Sequence, residues 1–339
     1  MDSKDDIEDT GDLGEAQPYQ VPQPQTVDEF RAAVVRLGTA AGTPTDAVIF
    51  SDLERAKVAV VRRLWPTLPL AVRRRLIAQM AELAEEQIEY TFSRVLKVAL
   101  RDEDAAIRAT AITGLWEDEG EDLLAYLLDE ALNDADQAVR EVAVRALARF
   151  SQLVVEDEIS PRWFTPLRAR LLELARGTDS PEIRRRALEA LAVYTDDPDV
   201  TGEIERAYRN ADEMSQVSAV YAMGRNLDAR WFDTVLTEMD NSSPSIRYEA
   251  TKASGEFSNA HAVPILIERL GDDDREVQLA AIGALGRIGG TAPMNVLRRL
   301  ASSKDDVVRE AAEEALEEAS FLSSPLGVGG RFTGPQNPD

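Results

Sequence analysis

The sequence repeats a short pattern at intervals close to 31 residues. From the second copy onward the pattern begins with Asp or Ser; most copies carry an Ile or Val three positions later, an Arg directly after it, and small residues beyond. This Ile or Val, which is Ser in the fifth copy, is taken as the anchor. The anchors are Val72, Ile107, Val139, Ile183, Ser215, Ile246, Val277 and Val308, spaced by 35, 32, 44, 32, 31, 31 and 31 residues. Such a period predicts a stack of one supersecondary unit.

The residue three positions before the anchor predicts where a helix begins. From the second copy onward it is Asp or Ser, whose side-chain oxygen accepts a hydrogen bond from a free backbone N–H at a helix start. In two copies the next residue is Pro181 or Pro244, and proline suits the first helical position. The seven predicted N-cap residues are Asp104, Asp136, Ser180, Asp212, Ser243, Asp274 and Asp305.

Small residues mark one face of each predicted helix. Alanine stands four positions after the anchor in every copy but the first, and Ala or Gly stands seven positions after it. These positions share a helical face, and small side chains there allow two helix axes to come close. Further amphipathic segments, such as Glu121–Leu132 and Ala262–Leu270, lie between these helices. The pattern therefore predicts an all-α chain of helix hairpins that bury their apolar faces by stacking.

The pattern Asp/Ser-x-x-Val/Ile-Arg-x-x-Ala-x-x-Ala-Leu resembles the HEAT repeat, in particular the HEAT-like repeat named after phycobilisome lyases, over residues 66–318. The resemblance implies an α-solenoid, a right-handed superhelix of antiparallel helix pairs. It also implies a ladder of Asp and Arg side chains along the stack. The ladder residues would be Asp104, Arg108, Asp136, Arg140, Asp212, Arg247, Asp274, Asp305 and Arg309.

Four regions depart from the repeat. Residues 1–25 carry seven acids against Lys4 and are predicted to be disordered. Residues 26–65 contain two helical stretches, predicted to cap the N-terminal end of the stack. Residues 151–165 lengthen one interval to 44 residues and form an insertion. Residues 319–339 are predicted to form a disordered tail.

Composition excludes several kinds of site. The chain has no cysteine and one histidine, His261, so Cys-based metal sites, disulfides and thiol nucleophiles are excluded. Members of the deoxyhypusine hydroxylase family resemble this repeat and bind two irons through paired His-Glu motifs. This sequence has no His-Glu pair, so that activity is rejected. We expect no metal and no cofactor.

Charge and hydropathy bear on partners and location. The formal net charge of −24 repels nucleic acid and anionic membranes at long range. No apolar run approaches the roughly 18 residues of a membrane-spanning helix. The acidic N-terminus differs from a signal peptide, which is basic and then apolar. We therefore expect a cytoplasmic protein that binds neither nucleic acid nor membrane.

The second helix of each hairpin is expected to line the concave side of the solenoid. Its exposed positions fall two and six residues after the anchor, and in the copies anchored at 215, 246 and 277 apolar and aromatic residues collect there. Such residues on an otherwise charged groove predict a partner-binding patch. The alternative is that they pack internally. The patch residues are Val217, Tyr221, Tyr248, Lys252 and Leu279.

Trp163 and Phe164 in the insertion form a second candidate binding element, since loops on a rigid scaffold often carry function. The alternative is that the pair folds back over the adjacent repeats. Together these features predict a non-catalytic scaffold that binds another protein through the concave face. The resemblance also allows an accessory bilin lyase or chaperone for a chromophore-carrying protein, which would need a pocket and an acid but no cysteine of its own.

Overall fold

The computed structural model describes residues 23–39, 42–210 and 212–323, which form helices and turns without a strand. The α-helices are α1 Val27–Leu37, α2 Arg55–Leu64, α3 Leu70–Glu86, α4 Ser93–Ala99, α5 Ala105–Gly114, α6 Glu121–Asp129, α7 Gln137–Val155, α8 Phe164–Arg176, α9 Pro181–Leu191, α10 Pro198–Tyr208, α11 Glu213–Asn226, α12 Phe232–Glu238, α13 Pro244–Glu256, α14 Val263–Arg269, α15 Arg275–Ile288, α16 Thr291–Leu300 and α17 Asp306–Ser323. Short 3-10 helices span Asp46–Phe50, Trp65–Thr67, Ala131–Asn133, Pro161–Trp163, Ala229–Trp231 and Ala260–Ala262.

The chain divides into two compact units, and the boundary in the sequence lies between Leu115 and Trp116. From α2 onward the helices alternate between two layers. The even-numbered helices, called A helices here, precede the odd-numbered B helices, and from α4 onward each A helix packs against the B helix that follows it, as α8 packs on α9 and α16 on α17. The B helices pack side by side, α3 with α5 in the first unit and α7 through α17 in sequence in the second. This layered stack of helix pairs is an α-solenoid.

The B helices begin where the capping pattern predicts. Asp104 accepts a hydrogen bond from the backbone N–H of Ile107 at 3.2 Å, and Ser180 from that of Ile183 at 3.2 Å. Pro181 and Pro244 are the first residues of α9 and α13. Because each cap satisfies backbone N–H groups that have no partner within the helix, it fixes the residue at which the chain leaves the turn.

Alanines at the fourth position after the anchor form the spine of the core. Each has no solvent exposure, and in every helix but α17 it is flanked by buried Ile, Val or Leu of the same helix. These alanines are Ala111, Ala143, Ala187, Ala219, Ala250, Ala281 and Ala312. The small-residue face predicted from the sequence is therefore the face on which the B helices pack.

Glycines at the ninth position after the anchor bring neighbouring B helices into backbone contact. A Cβ atom built on Gly255 would lie 2.9 Å from Ala284 Cα, and one built on Gly224 would lie 2.6 Å from Ala253 Cβ. Gly286 meets Ala315 of the next helix in the same way. Each contact joins this glycine to the alanine seven positions after the next anchor, so the crossing repeats along α11, α13, α15 and α17.

A polar turn precedes the B helices, and its side chain accepts a hydrogen bond from the backbone N–H of the N-cap residue. Asp102 accepts from Asp104 N at 2.9 Å, and Asp272 accepts from Asp274 N at 2.9 Å. Asn241 accepts from Ser243 N at 2.8 Å. Such side-chain turns replace a missing backbone hydrogen bond and fix the chain direction before the cap.

Two of the predicted ladder arginines, Arg140 and Arg247, pair with a turn carboxylate of the following repeat and not with a predicted ladder acid. Arg247 donates to both carboxylate oxygens of Asp272, at 3.0 and 2.8 Å. Arg140 likewise donates to both carboxylate oxygens of Asp179, at 3.0 and 2.9 Å. In the first unit, Arg73 binds the fully buried carboxylate of Asp102 at 2.8 Å.

The acids predicted for the ladder act as N-caps. Their carboxylate oxygens accept hydrogen bonds from backbone N–H groups at the start of their own helix. Asp136, Asp212 and Asp274 accept from Ala138, Ser215 and Val277 respectively. Asp104 and Asp305 cap their helices and also bind Arg74 and Arg275 of the preceding repeat, at 2.6 and 2.7 Å. Arg108 donates to the Asp102 carbonyl at 2.8 Å, within its own turn, and Arg309 pairs with Asp306 at 2.6 Å within its own helix.

The regions outside the regular repeat differ in part from prediction. Helix α7 continues through Val155, so the first third of the predicted insertion 151–165 is helical, with Val154 buried. Of the predicted disordered segment 1–25, residues 1–22 lie outside the described residues, whereas Gln23 donates to the Val48 carbonyl at 2.9 Å. Helix α17 continues through Ser323 because Ala319 is buried. The rest of the predicted tail, 324–339, lies outside the described residues.

Replacing Gly255 by Ala should destabilise the chain, because the added methyl group would overlap the backbone of α15. We expect Gly255→Ala to lower the free energy of unfolding by about 1–3 kcal/mol, the usual cost of overpacking. Gly283→Ala is the matched control, since a Cβ atom there meets nothing within 4 Å. The control should be stabilised by about 0.5–1 kcal/mol because alanine favours a helix interior. Urea unfolding followed by circular dichroism measures both, and equal shifts would contradict the close crossing.

Removing the Asp272 charge should destabilise the stack, because the half-buried guanidinium of Arg247 would lose the carboxylate that it binds. We expect Asp272→Asn to cost about 2 kcal/mol near neutral pH, whereas Asp273→Asn, at an exposed neighbour, should cost little. The bond from Arg247 lowers the pKa of Asp272. The stabilisation is therefore complete above the unfolded-state pKa of about 4 and is lost as the pH falls through the lower folded-state value. The stability gap between wild type and Asp272→Asn should narrow below about pH 4. A gap that is independent of pH would contradict the pairing.

Candidate partner-binding face

The predicted patch residues lie on the exposed face of α11, α13 and α15, called the B face here. All five predicted patch residues are half-buried, neither core nor fully exposed. Successive helices carry them in the same register, because the glycine–alanine crossings fix the relative position of neighbouring B helices. Three helices therefore present one continuous surface. Its members are Val217, Tyr221, Tyr248, Lys252 and Leu279.

The two aliphatic members divide their surface between the core and solvent. Val217 and Leu279 pack against the buried cluster that includes Ile246, Ala281 and Ile282. Internal packing, the alternative interpretation of these positions, therefore accounts for part of their burial. Val217 and Leu279 therefore contribute only their exposed apolar edges to the B face.

Tyr221 and Lys252 border a groove between α11 and α13. The groove holds about 220 Å³ of open space, and Gly224 and Ala253 are among its lining residues. These two residues form one of the backbone crossings. Neither residue has a side chain beyond Cβ. The crossing of Gly224 with Ala253 therefore leaves the space that the groove occupies.

Charges of both signs line the groove and are largely paired with one another. Arg287 of α15 binds Glu256 of α13 at 2.8 Å. The Lys252 ammonium lies 5.0 Å from the centre of the Tyr248 ring, within the range of a cation–π contact. Burial raises the pKa of the Glu249 carboxyl, although the Lys252 ammonium acts in the opposite direction. The B face is thus a mixed surface with aromatic rings and paired charges.

A side-chain bridge crosses this face from α11 to α7. Arg225 donates to the Gln152 side-chain oxygen at 2.9 Å, although α9 lies between the two helices in the row. Arg225 also lines the groove. Sequence reasoning missed Arg225, because the contact joins residues 73 positions apart.

The structure does not bring Trp163 and Phe164 to the B face. Trp163 is half-buried in the turn before α8, where Arg162 lies 5.2 Å from its ring centre and forms an ion pair with Glu121 of α6. Phe164 is 40% exposed and meets Tyr194 edge to face, with ring centres 5.1 Å apart. Both residues thus contact neighbouring side chains, in line with the alternative that the pair folds back over the adjacent repeats. Part of the Phe164 ring stays exposed.

Residues 23–39, 42–210 and 212–323 contain neither a candidate metal site nor a helix able to cross a membrane. No cluster of three or more His, Asp or Glu side chains is arranged to hold a metal ion. His261 is exposed, and its ring nitrogen bonds to the Asn259 side chain at 2.9 Å. None of the helices in this part of the chain has the length and apolar character needed to cross a membrane.

Comparison with known proteins identifies the repeat. The family model described as HEAT repeats matches residues 92–161 and 232–317. Curated protein sequences give no significant match. Among solved structures, an engineered protein is 19% identical, with 88% of this chain and 92% of that chain covered and a TM-score of 0.42.

Two nuclear-transport receptors also match in structure. Kap95p, solved with RanGDP, is 14% identical with a TM-score of 0.50, and importin beta is 16% identical with a TM-score of 0.48. The matches cover 89% and 88% of this chain but 46% and 45% of those chains, so this chain spans about half the length of either receptor. The phycobilisome-lyase subtype stays a prediction from the sequence. The repeated helix pairs and the matches to the family model identify residues 92–161 and 232–317 as HEAT repeats.

Proposed function

We propose that this chain is a non-catalytic scaffold that binds a partner protein on the B face of α11, α13 and α15. The observation that carries the proposal is the half-buried pair Tyr221 and Tyr248 on adjacent helices, beside a groove of about 220 Å³. Tyrosine offers a large contact area with few rotatable bonds and is enriched among residues that dominate binding energy.

The rigidity of the surface favours binding. The crossings at Gly224 and Gly255 lock three helices together through backbone contacts, so the face is formed before a partner arrives. A preformed surface loses little conformational entropy when it binds. Side chains already held by neighbours, such as Lys252 over Tyr248, lose still less.

The chemistry of the groove suggests the kind of partner segment it receives. An apolar anchor would lie between the tyrosine rings, and flanking charges of both signs would meet the Glu249, Lys252 and Arg287 side chains that line the groove. Because Glu249 is partly desolvated and its pKa is raised, a cationic side chain from the partner would gain most at that point.

The fold is consistent with this role. Kap95p, which is similar to this chain in fold, binds RanGDP, and HEAT-repeat solenoids are commonly protein-interaction scaffolds. No observation on the described residues favours the bilin lyase alternative over protein binding.

Replacing both tyrosines by alanine should weaken partner binding without unfolding the chain. We expect Tyr221→Ala/Tyr248→Ala to reduce affinity at least about tenfold, since central aromatic residues each contribute about 2 kcal/mol at such interfaces. The partner is first recovered with the full chain from the cells that produce it. It is then purified and titrated calorimetrically against wild type and variant.

Ile267→Ala is the control, because Ile267 is a 38% exposed apolar residue on α14, an A helix. The control should bind the partner as wild type does, and circular dichroism should show the same helical content for all three proteins. A double variant that is folded and binds with unchanged affinity would refute the B face as the binding site.

A further inference from the structure

A cationic cleft lies in the first unit, away from the residues discussed so far. It holds about 320 Å³ and is lined by Val58 and by four cations, Arg55 and Arg62 of α2 and Arg94 and Lys97 of α4. Arg62 and Lys97 also line a second cleft of about 440 Å³, which continues to Arg101. We call the two together the basic cleft. Such a concentration of one sign is unexpected in a chain whose net charge is −24.

Two carboxylates, Asp102 and Glu103, line the second of these clefts, and both are paired with other side chains. The Asp102 carboxylate is fully buried and accepts from Arg73 at 2.8 Å and from the Trp65 indole N–H at 2.7 Å. Glu103 also pairs with Arg73, at 2.6 Å. Arg55 and Arg62 are exposed. The field over the cleft is therefore positive and accessible to an anionic ligand.

The first described residues contact α2 and the 3-10 helix Asp46–Phe50. Lys57 on α2 donates to the backbone carbonyl of Pro24 at 2.9 Å, and Gln23 donates to the Val48 carbonyl at 2.9 Å. Lys57 is two residues from Arg55, so the two side chains leave α2 on different sides. Residues 1–22 are thus tethered to the helix that supplies Arg55 and Arg62 of the basic cleft.

The tethered residues carry the complementary charge. Residues 1–22 contain seven acids and a single Lys, and 22 residues reach up to about 70 Å when extended. A tether of this length gives an effective concentration on the order of millimolar. Weak electrostatic binding is therefore enough to populate the bound form.

We propose that the acidic segment of residues 1–22 binds in the basic cleft between α2 and α4. The segment shields Arg55, Arg62 and their neighbours. An acidic partner that approaches this face has to displace it. The segment thus acts as a built-in competitor, separate from the B face of the second unit.

The test uses full-length protein and a fluorescein-labelled synthetic peptide of residues 1–22, followed by fluorescence anisotropy. In one full-length variant, called the amide variant, the seven acids of residues 1–22 are replaced by amides. If the proposal holds, the segment then no longer occupies the basic cleft, although the chain keeps its length. The substitutions are Asp2→Asn, Asp5→Asn, Asp6→Asn, Glu8→Gln, Asp9→Asn, Asp12→Asn and Glu15→Gln. The amide variant should bind the peptide, and wild type should bind it about tenfold more weakly because its own segment competes. Binding should weaken as salt is raised.

Charge reversal locates the site. In the amide variant, Arg55→Glu/Arg62→Glu should weaken peptide binding at least about tenfold. Arg298→Glu/Arg299→Glu changes the net charge equally at exposed positions of α16 and should leave affinity within about twofold. Circular dichroism melting checks that each variant is folded.

Three outcomes would overturn the proposal. One is equal binding of the peptide to wild type and to the amide variant. Another is an equal loss of affinity in the two charge-reversal variants, which would indicate a general charge effect. The third is a single-stranded oligonucleotide that binds the cleft in wild type and is not displaced by the peptide, which would assign the cleft to nucleic acid.

Discussion

Backbone contact between neighbouring B helices is the constraint on which the second unit depends. At Gly224, Gly255 and Gly286 there is no space for a Cβ atom, because the next helix presents an alanine at van der Waals distance. Close packing of this kind fixes both the separation and the axial register of the helices. At two places in this unit an arginine also ties a repeat to the turn of the next one, as Arg140 binds Asp179 and Arg247 binds Asp272.

The same contact shapes the surface that a partner would meet. Where two helices touch through glycine and alanine, the side chains on either side stand apart, and the groove beside Tyr221 and Lys252 opens between them. A bulky residue at the crossing would separate the helices and fill the groove at once. Stability and recognition are therefore coupled in this stack, since both need the ninth position after the anchor to stay small.

Sequence reasoning predicted the helix starts and the buried alanines, because both depend on local chemistry at fixed offsets, as at Asp104 and Ala281. It missed the glycine crossings, although Gly224, Gly255 and Gly286 recur at the repeat period and could have been noticed. The ladder pairing could not be deduced. Asp272 and Asp274 are equal in chemistry, and only the fold of the turn decides that Asp272 is the carboxylate that reaches Arg247 of the preceding repeat. Long-range contacts such as Arg225 with Gln152 leave no local signal.

The most direct test of this account is nuclear magnetic resonance of the full chain with labelled alanine methyl groups and glycine α-protons. Strong cross-peaks are expected between the α-protons of Gly224, Gly255 and Gly286 and the methyl groups of Ala253, Ala284 and Ala315 respectively, one pair for each crossing. Their absence in a folded sample would contradict the backbone contact and, with it, the continuous face on α11, α13 and α15.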